Sequence, residues 1–135
     1  MKNVFKIAAI GLVFLGSVEI GASTIEGDSP LEIKKQIATV TQSYYAIKHI
    51  QNPDKEVQLA AVKQSYHALE YIKNPDKEVQ LIAVKQDSRA ISFIANPDKD
   101  VQVAAVKQSY HALQYIKSPT KEAAQLAYTA MMKDY

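Results

Sequence analysis

All five prolines of this chain lie on one regular series. They are Pro30, Pro53, Pro75, Pro97 and Pro119, so the intervals between them are 23, 22, 22 and 22 residues. The 22 residues that begin at Pro53 differ from the 22 that begin at Pro97 at only four positions. A fixed period of this length is typical of repeat proteins, in which each unit buries its apolar face against the next. The spacing therefore predicts the architecture before any single residue is interpreted.

The composition of the repeats favours helices over strands. All four glycines lie at or before position 27, and a fold of many β-hairpins is difficult to close without glycine. Each proline follows Asn or Ser, which can cap a helix, and proline is well tolerated in the first helical turn. We therefore predict that a helix begins at each proline. The predicted caps are Ser29, Asn52, Asn74, Asn96 and Ser118.

Within a unit, the apolar spacing allows two arrangements. In the first, a helix of about eleven residues is followed by a shorter one, with a break near Gln64 to Tyr66. In the second, a stripe from Leu59 to Ile72 at spacings of three and four belongs to one helix of roughly 20 residues. We favour the first arrangement, because each unit has a residue with a capping side chain at the break. These residues are Ser65, Asp87 and Ser109.

The predicted fold class is all-α. We expect a short α-solenoid of about four 22-residue helical repeats plus a C-terminal capping helix. The alternative is an up-and-down array of single helices of about 20 residues each. The helical repeat domain is predicted at 30–135, with units at 31–52, 53–74, 75–96 and 97–118 and the cap at 119–135.

Residues 1–23 have a different composition from the repeats. Lys2 and Lys6 precede an apolar run from Ile7 to Val18, and small residues follow at positions 21 to 23, as in a secretory signal peptide. The run is shorter than the roughly 20 residues that cross a bilayer. We predict a Sec-type signal peptide at 1–23 and a short linker at 24–29. This predicts a periplasmic or secreted protein that is not inserted in the membrane after cleavage.

The repeat motif resembles a known family. The string EVQLAAVKQ and the following tail that ends in Tyr-Ile, as in Glu56 to Ile72, are similar to a bacterial and phage family of short tandem helical repeats. That family is classed as a domain of unknown function and is HEAT-like in character. The resemblance covers about 28–118 and implies an α-solenoid-like fold. Related units commonly carry Asn-Gly or Asp-Gly at the turn, whereas this chain has Ser65-Tyr66 there and similar pairs in the other units.

One glutamine occurs at the same position in all four units. Its amide both donates and accepts hydrogen bonds, so a column of such residues can bond from unit to unit or to backbone groups at helix ends. We hypothesise a structural ladder. Its members are Gln42, Gln64, Gln86 and Gln108. The alternative is that glutamine is only a good helix former on a wet surface.

Variation between the units predicts where a binding surface lies. The first half of the unit at 75–96 is almost unchanged, whereas its second half has Arg89 where its neighbours have His67 and His111. Tyr, His and Arg are frequent anchors at protein interfaces. The candidate interaction face consists of Tyr44, Tyr45, Tyr66, His67, Arg89, Tyr110 and His111. Neutral drift after duplication is the alternative explanation.

Composition and spacing argue against several kinds of chemistry. The chain has no cysteine and a formal net charge of +2, so neither thiol chemistry nor nucleic-acid binding is expected. Ser65 and His67 are two residues apart and do not face each other on a helix. His67 and His111 are two units apart, roughly 16 to 20 Å for elements packed 8 to 10 Å apart. We therefore predict no catalytic residues, no metal site and no cofactor.

The sequence thus predicts an exported repeat protein that acts as a protein-binding or scaffold module and is not an enzyme. The alternative is a membrane-anchored envelope protein in which the repeats have a mainly structural role as a spacer.

Overall fold

The computed structural model describes residues 28–135. The predicted signal peptide and most of the predicted linker lie outside these residues. Residues 36–135 form one compact unit, which holds the repeats.

Five α-helices and four 3₁₀ helices alternate along the described residues. The α-helices are α1 (Pro30–Gln42), α2 (Lys55–Gln64), α3 (Lys77–Gln86), α4 (Lys99–Gln108) and α5 (Lys121–Lys133). The 3₁₀ helices are η1 (Tyr44–His49), η2 (Tyr66–Tyr71), η3 (Ser88–Phe93) and η4 (Tyr110–Tyr115). No strand occurs between residues 28 and 135. The fold is the all-α array of 22-residue units that the sequence predicts.

Each repeat contains two helical pieces, so the alternative of a single long helix is wrong. The α-helix α2 has ten residues and ends at Gln64, and Ser65 then takes an extended conformation with φ −161° and ψ 132°. The 3₁₀ helix of six residues follows. The Ser65 hydroxyl accepts a hydrogen bond from the His67 backbone N–H at 3.3 Å, and Asp87 accepts one from Arg89 at 2.9 Å. These short polar side chains stabilise the break, as expected for Asx and Ser/Thr turns.

Four of the five predicted helix starts are wrong: after Pro53, Pro75, Pro97 and Pro119 the α-helices begin two residues later, at Lys55, Lys77, Lys99 and Lys121. The α-helix α2 begins at Lys55, two residues after Pro53, and Asp54 lies at its N-cap without a side-chain capping bond. Asp54 has φ −58° and ψ 154°, so the chain is extended at this residue in front of the helix. The Gln58 side-chain amide donates a hydrogen bond to the Pro53 carbonyl at 2.9 Å.

The two outer helices have side-chain caps, which α2, α3 and α4 lack. The first helix begins at Pro30 as predicted, and the Ser29 hydroxyl accepts a hydrogen bond from the Glu32 backbone N–H at 3.3 Å. At the last helix the cap is Thr120, not the predicted Ser118. The Thr120 hydroxyl accepts a hydrogen bond from the Ala123 backbone N–H at 3.3 Å.

The hydrophobic core lies between a row of α-helices and a row of 3₁₀ helices. From α2 to α5, neighbouring α-helices contact each other, neighbouring 3₁₀ helices contact each other, and the two rows contact across the core. Each of α2, α3 and α4 buries two valines and an alanine, such as Val57, Ala61 and Val62. Each complete unit adds a buried alanine from its 3₁₀ helix and a buried isoleucine just after it, such as Ala68 and Ile72. The repeats therefore share one continuous core.

Replacing Thr120 by alanine should lower the free energy of unfolding by about 0.5 to 2 kcal/mol, because a side-chain cap of α5 is lost. The matched control is Ser118→Ala, which removes the hydroxyl that the sequence had predicted as the cap. Urea melts of both variants check this, and a larger loss from Ser118→Ala would contradict the cap assignment.

Candidate functional site

The 3₁₀ geometry decides which residues of the second half of each unit face outward. A 3₁₀ helix has three residues per turn, so side chains three apart lie on the same side. In η2 and the residues after it, His67, Glu70 and Lys73 are exposed, whereas Leu69 and Ile72 are buried. The same three positions are exposed in all four units. We call this set the 3₁₀ face: Tyr45, Lys48, Gln51, His67, Glu70, Lys73, Arg89, Ser92, Ala95, His111, Gln114 and Lys117.

The structure places four of the seven predicted contact residues on the 3₁₀ face, one in each unit. These are Tyr45, His67, Arg89 and His111, all exposed. The other three are half-buried and precede them by one residue. They are Tyr44, Tyr66 and Tyr110. All seven therefore lie at the first two positions of consecutive 3₁₀ helices.

Ring contacts connect the first three 3₁₀ helices across the unit boundaries. The Tyr44 ring lies 6.4 Å from the His67 ring, and the His67 ring lies 5.7 Å from that of Phe93. Tyr66 stacks on His67 with centroids 4.2 Å apart. Aromatic pairs at these separations attract each other through their quadrupoles. The result is an amphipathic row of rings that crosses η1, η2 and η3 without interruption.

The unit at 75–96 has an acid–base pair where its neighbours have Ser and His. The Arg89 guanidinium donates to both carboxylate oxygens of Asp87, at 3.0, 3.1 and 2.5 Å. This fork holds the pKa of the Asp87 carboxyl below its usual range and raises the pKa of Arg89. Arg89 also lies 6.0 Å from the centre of the Tyr66 ring. The pair fixes the direction of the guanidinium on the face.

Eight further residues of the 3₁₀ face were not among the predicted contact residues. They follow the predicted ones at intervals of three and six, such as Lys48 and Lys73, and all are exposed. Several of these positions vary between the units, but the α-helical period of 3.6 residues does not place them on one side of the helix. A period of three would have found them, because it separates the exposed from the buried positions of a 3₁₀ helix.

Two members of the predicted glutamine ladder bond to the preceding unit. The Gln86 side-chain amide donates to the Lys63 carbonyl at 3.2 Å, and the Gln108 amide donates to the Lys85 carbonyl at 2.8 Å. These carbonyls lie in the last turn of an α-helix, where no intrahelical partner remains. Gln42 and Gln64 occupy the same position at the ends of α1 and α2. The contribution of this ladder to stability stays a prediction.

Replacing Gln86 and Gln108 together by alanine should cost about 1 to 3 kcal/mol, since a typical hydrogen bond contributes about 0.5 to 1.5 kcal/mol. Gln114 and Gln125 are exposed glutamines outside the ladder. The matched control replaces these two by alanine and should change stability by less than about 0.5 kcal/mol. Equal thermal and urea stability of the two double variants would refute the ladder.

Exposed ion pairs run between neighbouring units at the other end of the α-helices. Lys55 pairs with Glu78 at 2.5 Å, Lys77 pairs with Asp100, and Lys99 pairs with Glu122 at 2.6 Å. The lysines lower the pKa of the Glu78 and Asp100 carboxyl groups. Exposed pairs of this kind contribute little to stability, so their main effect is to favour one register between units.

A second row of lysines lies in the last turn of the α-helices: Lys63, Lys85 and Lys107. None has an acidic residue one turn earlier in its own helix. They are exposed and form no ion pair among the described residues. The inter-unit partners belong instead to the lysines of the first helical turn.

The described residues offer neither a metal site nor a membrane-spanning helix. Residues 28–135 contain no group of three or more His, Asp or Glu side chains arranged to hold a metal ion. The helices in this part of the chain are also too short or too polar to cross a bilayer.

A family model described as a domain of unknown function, DUF4116, matches residues 54–97. The matched segment has 44 residues (97 − 54 + 1), which equals two periods of 22, and it contains α2, η2, α3 and η3. No curated protein and no solved structure gives a significant match to the chain. The similarity agrees with a helical repeat and attaches no activity to it.

Proposed function

We propose that this chain is a protein-binding module and that the 3₁₀ face is its contact surface. The observation that carries the proposal is a difference between two exposed sets of residues in the same repeats. Each of the three positions of the 3₁₀ face holds at least two different residue types among the units at 53–74, 75–96 and 97–118. At the second position all three units differ, with Glu70, Ser92 and Gln114. The exposed positions of α2, α3 and α4 are almost unchanged, with a single Glu-to-Asp difference at Asp100.

This contrast favours a binding role over neutral drift. Among the three complete units, drift alone would change exposed residues in both rows, whereas only the 3₁₀ face has diverged. The first unit differs in both sets, as is usual for a terminal unit. Ion pairs and the glutamine bonds explain part of the constancy of the α-helices. They do not explain Lys63 and its equivalents, which are identical although their side chains form no ion pair in the described residues. A surface with its own residues in each unit, on a shared scaffold, is how repeat proteins form specific binding surfaces.

The chemistry of the 3₁₀ face suits a protein partner. Tyr, His and Arg supply large amphipathic contact areas, and such residues are enriched at the centres of protein interfaces. Tyr45 is 45% exposed, so the face offers at least one ring that is largely available for contact. The face also carries basic side chains, such as Lys48 and Lys73, and one acidic side chain, Glu70. We expect a protein surface of mixed polarity as the partner, without a catalytic reaction.

The test is capture of a partner from an envelope extract on the immobilised full chain. One variant replaces Tyr66, His67, Tyr110 and His111 by alanine, all on the 3₁₀ helices. A matched control replaces Glu56, Lys63, Lys85 and Lys107 by alanine, all exposed on the α-helices. We expect a protein that is retained by the wild type and the control and is lost from the first variant at unchanged helicity. Retention by the first variant, or equal loss from both, would contradict the proposal.

We further propose that the protein is exported and that its units belong to the bacterial and phage family of tandem repeats that they resemble. Support comes from the charged and apolar pattern of residues 1–23 and from the similarity over 54–97. Mass spectrometry of the protein recovered from cells and medium tests export. A mature start near Ser23 or Thr24 is expected, and an intact Met1 would instead favour the anchored spacer.

A further inference from the structure

A cavity of about 530 Å³ lies at the loop edge between the units that end at Asn52 and Asn74. Residues from both inter-unit loops line it. The polar ones that matter are Lys48, Gln51, Asn52, Gln58, Tyr71 and Lys73. Its volume lies within the range of about 300 to 1,000 Å³ that holds small organic ligands.

The charge of this cavity is positive. Lys48 and Lys73 line it and no carboxylate does. The Lys48 ammonium lies 3.7 Å from the centre of the Tyr45 ring, which holds the long side chain in place. Burial raises the pKa of Tyr71, and the charge of Glu70 and a hydrogen bond between the two side chains raise it further. Glu70 itself lies outside the lining. Two ammonium groups in a lining that has no carboxylate favour an anionic ligand.

Comparison with the following units shows that this combination belongs to one place in the chain. The residues 22 positions after Lys48, Tyr71 and Lys73 are Glu70, Phe93 and Ala95. One positive charge is therefore replaced by a negative one, a phenol by a plain ring and the second lysine by a methyl group. The same loop backbone is thus present at the next unit boundary without the chemistry to hold an anion.

The lining also offers an acceptor for a ligand hydroxyl group. The Gln58 amide donates to the Pro53 carbonyl at 2.9 Å, while its own buried oxygen accepts no hydrogen bond from the described residues. The corresponding oxygen of Gln102 accepts from the Thr120 backbone N–H at 2.8 Å, so a donor can be placed at this position. The Gln80 oxygen is unpartnered as well, so this feature adds to the lysines and does not replace them.

The backbone at the cavity is unusual too. Asn52 has φ 49°, and it is the only residue other than glycine with positive φ in the described part of the chain. Its equivalents Asn74 and Asn96 precede the same Pro-Asp-Lys sequence without this conformation. Asn tolerates the left-handed region better than most residues, but the conformation still costs energy and is typical of ligand-contacting segments.

We infer that this cavity binds a small hydroxylated organic anion. Lys48 and Lys73 bind the anionic group, the side-chain amides of Gln51 and Asn52 donate to its remaining oxygens, and Gln58 accepts from a hydroxyl group. The ligand therefore combines an anionic group with several hydroxyl groups. Sugar phosphates and sugar acids both have this combination. The cavity shares Lys48, Gln51 and Lys73 with the 3₁₀ face, but none of the residues changed in the capture experiment lines it.

The test is a calorimetric and NMR titration of the purified full chain with glucose 6-phosphate and with glucuronate. Glucose, which lacks the charge, and inorganic phosphate, which lacks the hydroxylated body, are the comparison probes. One variant is Lys48→Gln with Lys73→Gln. The control is Lys63→Gln with Lys85→Gln, which removes the same charge from exposed positions outside the cavity.

We expect saturable binding of at least one of the two organic anions, with shifts at Gln58 and Tyr71. Affinity should fall at least tenfold in Lys48→Gln with Lys73→Gln and should be unchanged in the control. Glucose and inorganic phosphate should bind at least tenfold more weakly. If only glucuronate binds, the site takes a carboxylate. If only glucose 6-phosphate binds, the site takes a phosphate group. No saturable binding, equal binding of glucose or phosphate, or an equal loss in the control would overturn the inference. Because no protein partner is used, such a failure would leave the proposed protein-binding role untouched.

Discussion

Replacing Leu69 by alanine should lower the free energy of unfolding by about 2 to 5 kcal/mol. Leu69 is 1% exposed and lies in η2, which contacts both α2 and α3. The substitution removes apolar atoms from a site that two α-helices enclose, so the space cannot close without moving one unit against the next.

The matched control for Leu69 is Lys73→Ala. Lys73 is exposed, and Ala95 already occupies the equivalent position in the following unit. This control should change stability by less than about 0.5 kcal/mol. Urea denaturation followed by circular dichroism measures both. Similar small losses in the two variants would show that the buried and exposed positions of the 3₁₀ helices are wrongly assigned.

Deleting one whole unit, residues 75–96, should leave a shorter but cooperatively folded protein. The deletion joins Asn74 to Pro97, which restores an Asn-Pro-Asp-Lys loop. Both inter-unit contacts can form again, since Gln108 then meets the Lys63 carbonyl and Lys55 meets Asp100. The slope of the unfolding free energy against urea should fall by roughly a fifth, because 22 of 108 described residues (135 − 28 + 1) are removed.

The control for this deletion removes only residues 75–85, which include most of α3. That change takes one member out of the row of α-helices and leaves η3 without its partner, so cooperative unfolding should be lost. In a repeat protein each unit contacts only its neighbours, which is why the whole-unit deletion is tolerated. If both deletions were equally disruptive, the array would not be built from equivalent 22-residue units.

The sequence predicted the fold well because its strongest signals are local and repeated. The period of 22 gave the unit, and Ser65 and Asp87 marked the break, since their side chains bond to the backbone two residues on. Four helix starts were predicted two residues too early, because a capping residue followed by proline marks the region of a start and not its first residue. Asp54 and Thr120, which follow their prolines, are still extended.

Contacts between units were harder to predict than structure within a unit. The register between helices decides that Lys55, and not Lys63, meets an acid of the next unit. That register depends on how Val57 and Ala61 pack in the core, which the sequence does not display as a pattern. The cavity at Lys48 and Lys73 was missed for the same reason, because its two lysines are 25 positions apart (73 − 48).

The predicted contact residues were found by comparing units within one chain. His67, Arg89 and His111 differ at one position while the scaffold around them stays the same, and the structure places all three on the 3₁₀ face. The period of three then extends the surface to Glu70, Ser92 and Gln114. Whether a partner binds there is the central question about the molecule.

Site-specific photo-crosslinking answers that question most directly. A benzophenone amino acid is placed at His67 on the 3₁₀ face, or at Lys63 on α2, only four residues away and also exposed. After irradiation of the full-length protein in envelope extract, the adducts are separated by mass. The proposed function predicts one discrete adduct from position 67 and none from position 63. An adduct from position 63 alone, or the same adducts from both positions, would contradict binding through the 3₁₀ face.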